Sequence, residues 1–151
     1  MTSMTGGDLP LCFVDTNILV YALAADDAKR SPIAQKLLKE LMVAQALQTS
    51  TQVLQELFVT LTRKVRTRLT AEQALRYLDQ IAAWPVAVTD YRAVRAAIEL
   101  SARATLSFWD ALVIVAAARS GAKRIYTEDL QDGQTILGVE VVNPFRSKLA
   151  G

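Results

Sequence analysis

The sequence predicts an α/β fold, a three-layer α/β/α sandwich around a central parallel sheet. Two observations carry this. Short β-like runs alternate with helical stretches along the chain, and strands separated by helices pair in parallel with helices on both faces. The length of 151 residues also suits one domain, which can bury roughly two-thirds of its unfolded surface. No repeat, low-complexity tract or interior linker divides it.

Leu11–Val14 is a short apolar run that ends in Asp15, and Thr16–Ala24 then reads as helix. Ser31-Pro32 is a helix start, with Ser as cap and Pro in the first turn. The helix 32–46 that follows carries Ile33, Leu37, Leu38, Leu41 and Met42 at helical period. Leu47–Ser50 reads as a strand, and Thr51–Val65 as a helix with Val53, Leu54, Leu57, Phe58 and Leu61 on one face. Thr70-Ala71-Glu72-Gln73 has the form of a capping box and opens a helix to about Ala83. Val86–Val88 is strand-like, and Asp90 caps a helix over Tyr91–Arg103. Ser107 begins a last helix to Ser120, closed by Gly121. Lys123–Thr127 and Val139–Val142 complete the strands. Residues 1–10 are read as a disordered lead-in, 11–146 as the domain and 147–151 as a tail.

Composition removes several function classes. There is no histidine, so Ser-His-Asp and Cys-His nucleophiles are excluded. The single cysteine, Cys12, forbids an internal disulfide, argues against zinc and reads as a small core residue in a reducing cytoplasm. The opening MTSMTGGDLP has no basic stretch followed by an apolar core, so it does not read as a signal peptide. The longest charge-free apolar run, near 111–118, is too short to span a bilayer. Net charge is +2, from 17 basic and 15 acidic residues. If several acids are sequestered in one site, the rest of the surface is basic enough to suit a polyanion. The 52% hydrophobic content slightly exceeds the usual share for a soluble domain and suggests an extra buried surface, such as an oligomer or partner interface.

Four acids stand out. Asp15 and Asp129 each follow a strand, and parallel strands bring their ends to one edge of the sheet, where ligands of open α/β sheets bind. Asp110 lies near the start of an otherwise apolar helix, and Glu56 borders the apolar face of another. Singly, each has an ordinary role. Asp15 can cap the following helix, Asp110 can complete a capping box with Ser107, Glu56 can be a solvated helix residue and Asp129 a loop residue beside Glu128 and Asp132. Together they describe a cation site. Clustered carboxylates repel unless a proton or cation intervenes. Mg²⁺ or Mn²⁺ takes oxygen ligands, needs one or two carboxylates directly and keeps several waters. A bound divalent ion acidifies water and offsets charge on a phosphate in transfer.

In order and spacing the motifs resemble those of the PIN-domain nucleases, and among them the VapC-type toxins of bacterial toxin–antitoxin pairs. The resemblance is carried by Val-Asp15-Thr-Asn17-Ile-Leu, Thr-Gln-Val-Leu-Gln-Glu56-Leu, Phe-Trp-Asp110-Ala-Leu-Val and Ile-Tyr-Thr127-Glu-Asp129-Leu-Gln-Asp-Gly-Gln, and spans Leu11 to Phe145. It implies metal-dependent cleavage of single-stranded RNA, that is, an endoribonuclease. It further implies that Asp15 and Asp110 are the main ligands of Mg²⁺ or Mn²⁺, that Glu56 and Asp129 act directly or through water, and that Asn17 and Thr127 support the site by hydrogen bonds. The implied partners are RNA, a cognate antitoxin whose segment covers the groove, and a second copy in a homodimer, in the cytoplasm.

Arg63, Lys64, Arg66 and Arg68 form a basic cluster after the Glu56 helix. It reads either as a solvated loop or as a track for RNA phosphates. Phe108 and Trp109 read as core packing ahead of base stacking. Two rival readings stand beside the nuclease. A phosphotransferase with Asp15 as nucleophile usually needs a second acid two residues on, where this chain has Asn17. A non-catalytic interaction module has no reason to hold four like charges together.

Overall fold

The computed structural model describes residues 9–146. The elements, in chain order, are β1 (Cys12–Val14), α1 (Thr16–Ala24), α2 (Arg30–Val43), β2 (Leu47–Ser50), α3 (Thr51–Arg63), α4 (Ala71–Ile81), β3 (Val86–Ala87), α5 (Tyr91–Arg103), α6 (Phe108–Arg119), β4 (Arg124–Tyr126), β5 (Thr135–Ile136) and β6 (Val139–Val142). The expected lead-in over 1–8 and tail over 147–151 lie outside the described residues. Leu9, expected in that lead-in, packs partly buried against the core.

The six strands form one sheet in the order β3-β2-β1-β4-β6-β5. All pairings are parallel except β5 with β6. Every residue of the central strand β1 is buried, as a strand covered on both faces must be. One cover is α6, which packs on β2, β3, β4 and β6 and against α5. Its residues Ala111–Ala117 are all buried, which explains a helix apolar nearly all round. The other helices pack as α1 with α2 and α3, and α3 with α4.

Local signals placed most boundaries. Thr70 and Gln73 form the full reciprocal capping box, Asp90 caps α5 through the Ala93 N–H, and Gly121 leaves α6 at φ +80°. One expectation needs correction, and one edge strand goes beyond those expected. Ser31 does not cap α2. The helix begins at Arg30, and the Asp27 carboxylate accepts from the Lys29 and Arg30 N–H groups at 3.0 and 2.8 Å. Ser31 lies inside the helix, buried, with no hydrogen-bond partner for its hydroxyl. The sheet is also not wholly parallel. β5 returns on β6 through Leu137 and Gly138, both at positive φ (50° and 78°), the geometry of a two-residue hairpin turn. Leu-Gly is not an expected pair there, because a leucine seldom adopts a left-handed backbone.

Candidate active site

β1 sits between β2 and β4, so the chain leaves β1 toward one side of the sheet while the strands from β4 onward extend to the other. This is the topological switch point, where the strand ends splay and open α/β sheets bind ligands. Val14 is in register with Tyr126, and the Asp15 N–H donates to the Tyr126 carbonyl at 3.0 Å. The next residues on the two strands, Asp15 and Thr127, are therefore neighbours, although 112 positions apart.

Asp15 is 6% exposed and Thr127 fully buried. The Thr127 hydroxyl donates to Asp15 Oδ2 at 2.8 Å, and the Thr16 N–H donates to Oδ1 at 2.8 Å. Asp15 thus caps α1 with one oxygen while Thr127 holds the other. Thr127 Oγ1 also accepts from the Asp129 N–H at 3.1 Å, which fixes where that loop carries Asp129. The Asn17 amide closes the set, donating to Asp129 Oδ2 at 2.9 Å and accepting from the Glu128 N–H at 3.4 Å.

Glu56 reaches the cluster from α3, where its carboxylate accepts from the Thr16 hydroxyl at 3.3 Å and from Gln52 Nε2 at 2.8 Å. The same Gln52 amide donates to the Trp109 carbonyl at 3.3 Å, tying α3 to the first turn of α6, one residue from Asp110. Only half of the possible capping box forms there. Ser107 Oγ accepts from the Asp110 N–H at 3.1 Å, and the Asp110 side chain makes no hydrogen bond among the described residues. Sequence reasoning missed Thr16 and Gln52. Gln52 was detectable, since it precedes Glu56 by one helical turn.

The electrostatics show how close these charges lie. Burial raises the Asp15 carboxyl from 3.8 to about 6, the bonds from Thr16 and Thr127 oppose the rise, and the charges of Asp129 and Glu56 add to it. Burial also raises Asp129, with the Asn17 bond opposing and the charges of Asp110 and Glu128 adding. Asp15 therefore feels Asp129 and Glu56 most, whereas Asp110 acts on Asp129. Among the described residues, no three acidic or thiol side chains lie close enough to grip an ion by themselves. The donor set fits a hard cation that keeps most of its water and takes one or two carboxylates directly. It does not form a closed protein cage.

The sequence model of the PIN domain family matches residues 12–131. The chain belongs to the PIN domain family. No curated protein matches it. Among solved structures it is similar to VapC20 of Mycobacterium tuberculosis, a Sarcin-Ricin loop cleaving toxin, at 24% identity over 78% of this chain and 89% of that one, with a TM-score of 0.60. At that identity the likeness speaks for the fold.

Beyond this PIN domain's acidic edge, two sequence expectations resolve differently. Trp109 is not core. It is 64% exposed, with the half-buried Phe108 edge-on to it at 5.0 Å between ring centres. Arg63, Lys64, Arg66 and Arg68 are all exposed, and none is in an ion pair among the described residues. Arg63 lies seven positions beyond Glu56 on α3, on the same helix face and about 10 Å away along the axis. A groove of about 600 Å³ between α2 and the β4–β6 face and a hollow of about 320 Å³ at the β3 edge contain none of the four acids.

Proposed function

We propose that this PIN domain is a metal-dependent endoribonuclease that cuts single-stranded RNA, as the toxin of a toxin–antitoxin pair. The observation that carries the reading is Asp15, buried at the switch point with its carboxyl raised to about 6 by burial and by neighbouring acids. A fold keeps such a group when a cation neutralises it in use. Asp15, with Asp129, Glu56 and Asp110 around it, would hold Mg²⁺ or Mn²⁺. When bound, that ion would supply charge neutralisation at the scissile phosphate and a more acidic water.

The chain's own residues do the rest. Thr127 and Thr16 fix both oxygens of Asp15, and Asn17 aims Asp129. Gln52 holds Glu56 toward the cluster. Arg63 and the cations beyond it offer phosphate contacts along α3, and exposed Trp109 offers a face on which an unpaired base can stack. That combination favours single-stranded RNA over a folded-protein or small-molecule substrate.

A homodimer accords with Val88, Tyr91 and Ile98, which leave a large apolar surface exposed beside β3 and along α5. The antitoxin would cover the acidic edge and place an arginine into it. No described helix is long and apolar enough to cross a membrane. The test is cleavage of a labelled single-stranded RNA pool with Mg²⁺ or Mn²⁺, with EDTA, and by Asp15→Ala. Cutting that needs the ion and is lost in the variant supports the assignment. Cutting by Asp15→Ala at the wild-type rate removes Asp15 from the site.

A further inference from the structure

A second cluster adjoins the acids. Arg30, the first residue of α2, donates through Nε to Glu128 Oε2 and through Nη1 to Asp27 Oδ2, each at 3.1 Å. Its guanidinium lies 5.5 Å from the centre of the Tyr21 ring and 5.6 Å from that of Phe145. The two rings meet edge to face at 5.1 Å. The Tyr21 hydroxyl bonds the other oxygen of Glu128. α1 and α2 thus converge on the carboxylate that the loop after β4 presents, and the segment after β6 packs on both through Phe145.

Glu128 stands between Thr127, which holds Asp15, and Asp129. Its N–H is bonded to Asn17, the same side chain that aims Asp129. The clamp extends to Asn143 and Asp132, which the site itself leaves unused. Phe145 N–H donates to Asn143 Oδ1 at 2.9 Å, and Asn143 N–H donates to Asp132 Oδ1 at 2.7 Å. Asp132 belongs to this brace.

We infer that Arg30 is a positioning residue for the acidic site: with Tyr21 and Phe145 it clamps Glu128, and so fixes the Thr127–Asp129 loop and keeps a fifth carboxylate from turning in toward the cation. The inference rests on the reading of that site as a cation site. Stability alone is a poor explanation for the arrangement. The Arg30 side chain is 40% exposed, and ion pairs in such places add little to a fold. Geometry is what the arrangement supplies, because a planar guanidinium paired to a carboxylate and packed against two rings fixes a position that an ammonium or an apolar side chain does not. Outer partners of ligand-bearing residues commonly set metal affinity in this way.

The experiment uses the full chain and three variants, Arg30→Met, Glu128→Ala and Glu128→Gln. For each, Mn²⁺ binding is titrated directly, melting is recorded in EDTA, and RNA cleavage is resolved into kcat and KM. Arg30→Met and Glu128→Ala are expected to melt in EDTA close to wild type, to bind Mn²⁺ about 10–100-fold more weakly, and to lose kcat with KM little changed. Glu128→Gln, whose one amide oxygen can still accept from Arg30 while its NH2 donates to the Tyr21 hydroxyl, is expected to recover most of the affinity. Wild-type Mn²⁺ affinity in both Arg30→Met and Glu128→Ala overturns the clamp while leaving the cation site standing. A wild-type chain that binds no Mn²⁺ overturns both. If Arg30→Met does not fold, Tyr21→Phe and Phe145→Leu take its place, and unchanged Mn²⁺ affinity in these two overturns the clamp equally.

Discussion

Asp15→Asn should make the metal-free protein more stable at neutral pH while abolishing cleavage. The Asp15 carboxyl titrates near 3.8 in an unfolded chain and at about 6 in the fold. The folded state therefore holds that proton more tightly. Below about pH 4 the group is protonated in both states and makes no difference. Between about pH 4 and 6 the unfolded chain ionises first, and the fold loses stability. Above that window the penalty is complete, at about 3 kcal/mol for a rise of this size. Asparagine keeps the side-chain shape and an acceptor for the Thr16 N–H, and it carries no charge. The Thr127 hydroxyl, which donates to Asp15 at 2.8 Å, must turn to a new partner, at a cost of about 1 kcal/mol. The net gain is about 2 kcal/mol, or about 4–8 °C in Tm for a domain of this size. Thermal and urea unfolding in EDTA between about pH 4 and 8 measure it. Saturating Mn²⁺ should raise the Tm of wild type and not of the variant. A variant less stable than wild type at neutral pH, or one whose advantage is equal at both ends of the range, refutes the reasoning.

Thr127→Val keeps the shape but removes the donor to Asp15 and the acceptor for the Asp129 N–H. It should lower stability by about 1–3 kcal/mol and cleavage about 10–100-fold, with Thr127→Ser restoring most of both in unfolding and cleavage assays. Alanine at Arg63 and Lys64 should weaken RNA binding regardless of sequence. Each lost phosphate contact should reduce the slope of log affinity against log salt by about 0.7, read from binding curves at several salt concentrations. Trp109→Ala should leave Tm unchanged, because the side chain is mostly exposed. It should weaken single-stranded RNA binding by about 1–3 kcal/mol and remove the quenching of tryptophan fluorescence that RNA produces.

Much of the fold was legible because its signals are local. The Asp90 cap, the Thr70 capping box and the period of α3 each reside within a few residues, where steric and hydrogen-bond preferences act without help from the rest of the chain. The errors arose where the most obvious local signal was not the one that prevailed. Ser31 looks like a cap, but Asp27 takes the α2 N–H groups. Trp109 looks like core, yet the neighbouring residues Ala111–Ala117 fill that role. Leu137 hides a hairpin because its backbone adopts a conformation its residue type disfavours. The four acids stood out by residue type, order and position, two after strands and two on helices. Their coupling was not, since the hydrogen bonds that aim them join residues 40 to 112 positions apart.

The sequence by itself determined the alternation of strands and helices, the acids at strand and helix ends, and the family the motifs resemble. Only the tertiary structure decided that β4 lies beside β1, that Thr127 therefore meets Asp15, and that Arg30 reaches Glu128 while packed against two rings. The physical reason is range. Periodicity and capping act over a helical turn, whereas strand order and side-chain convergence follow from burying one shared core.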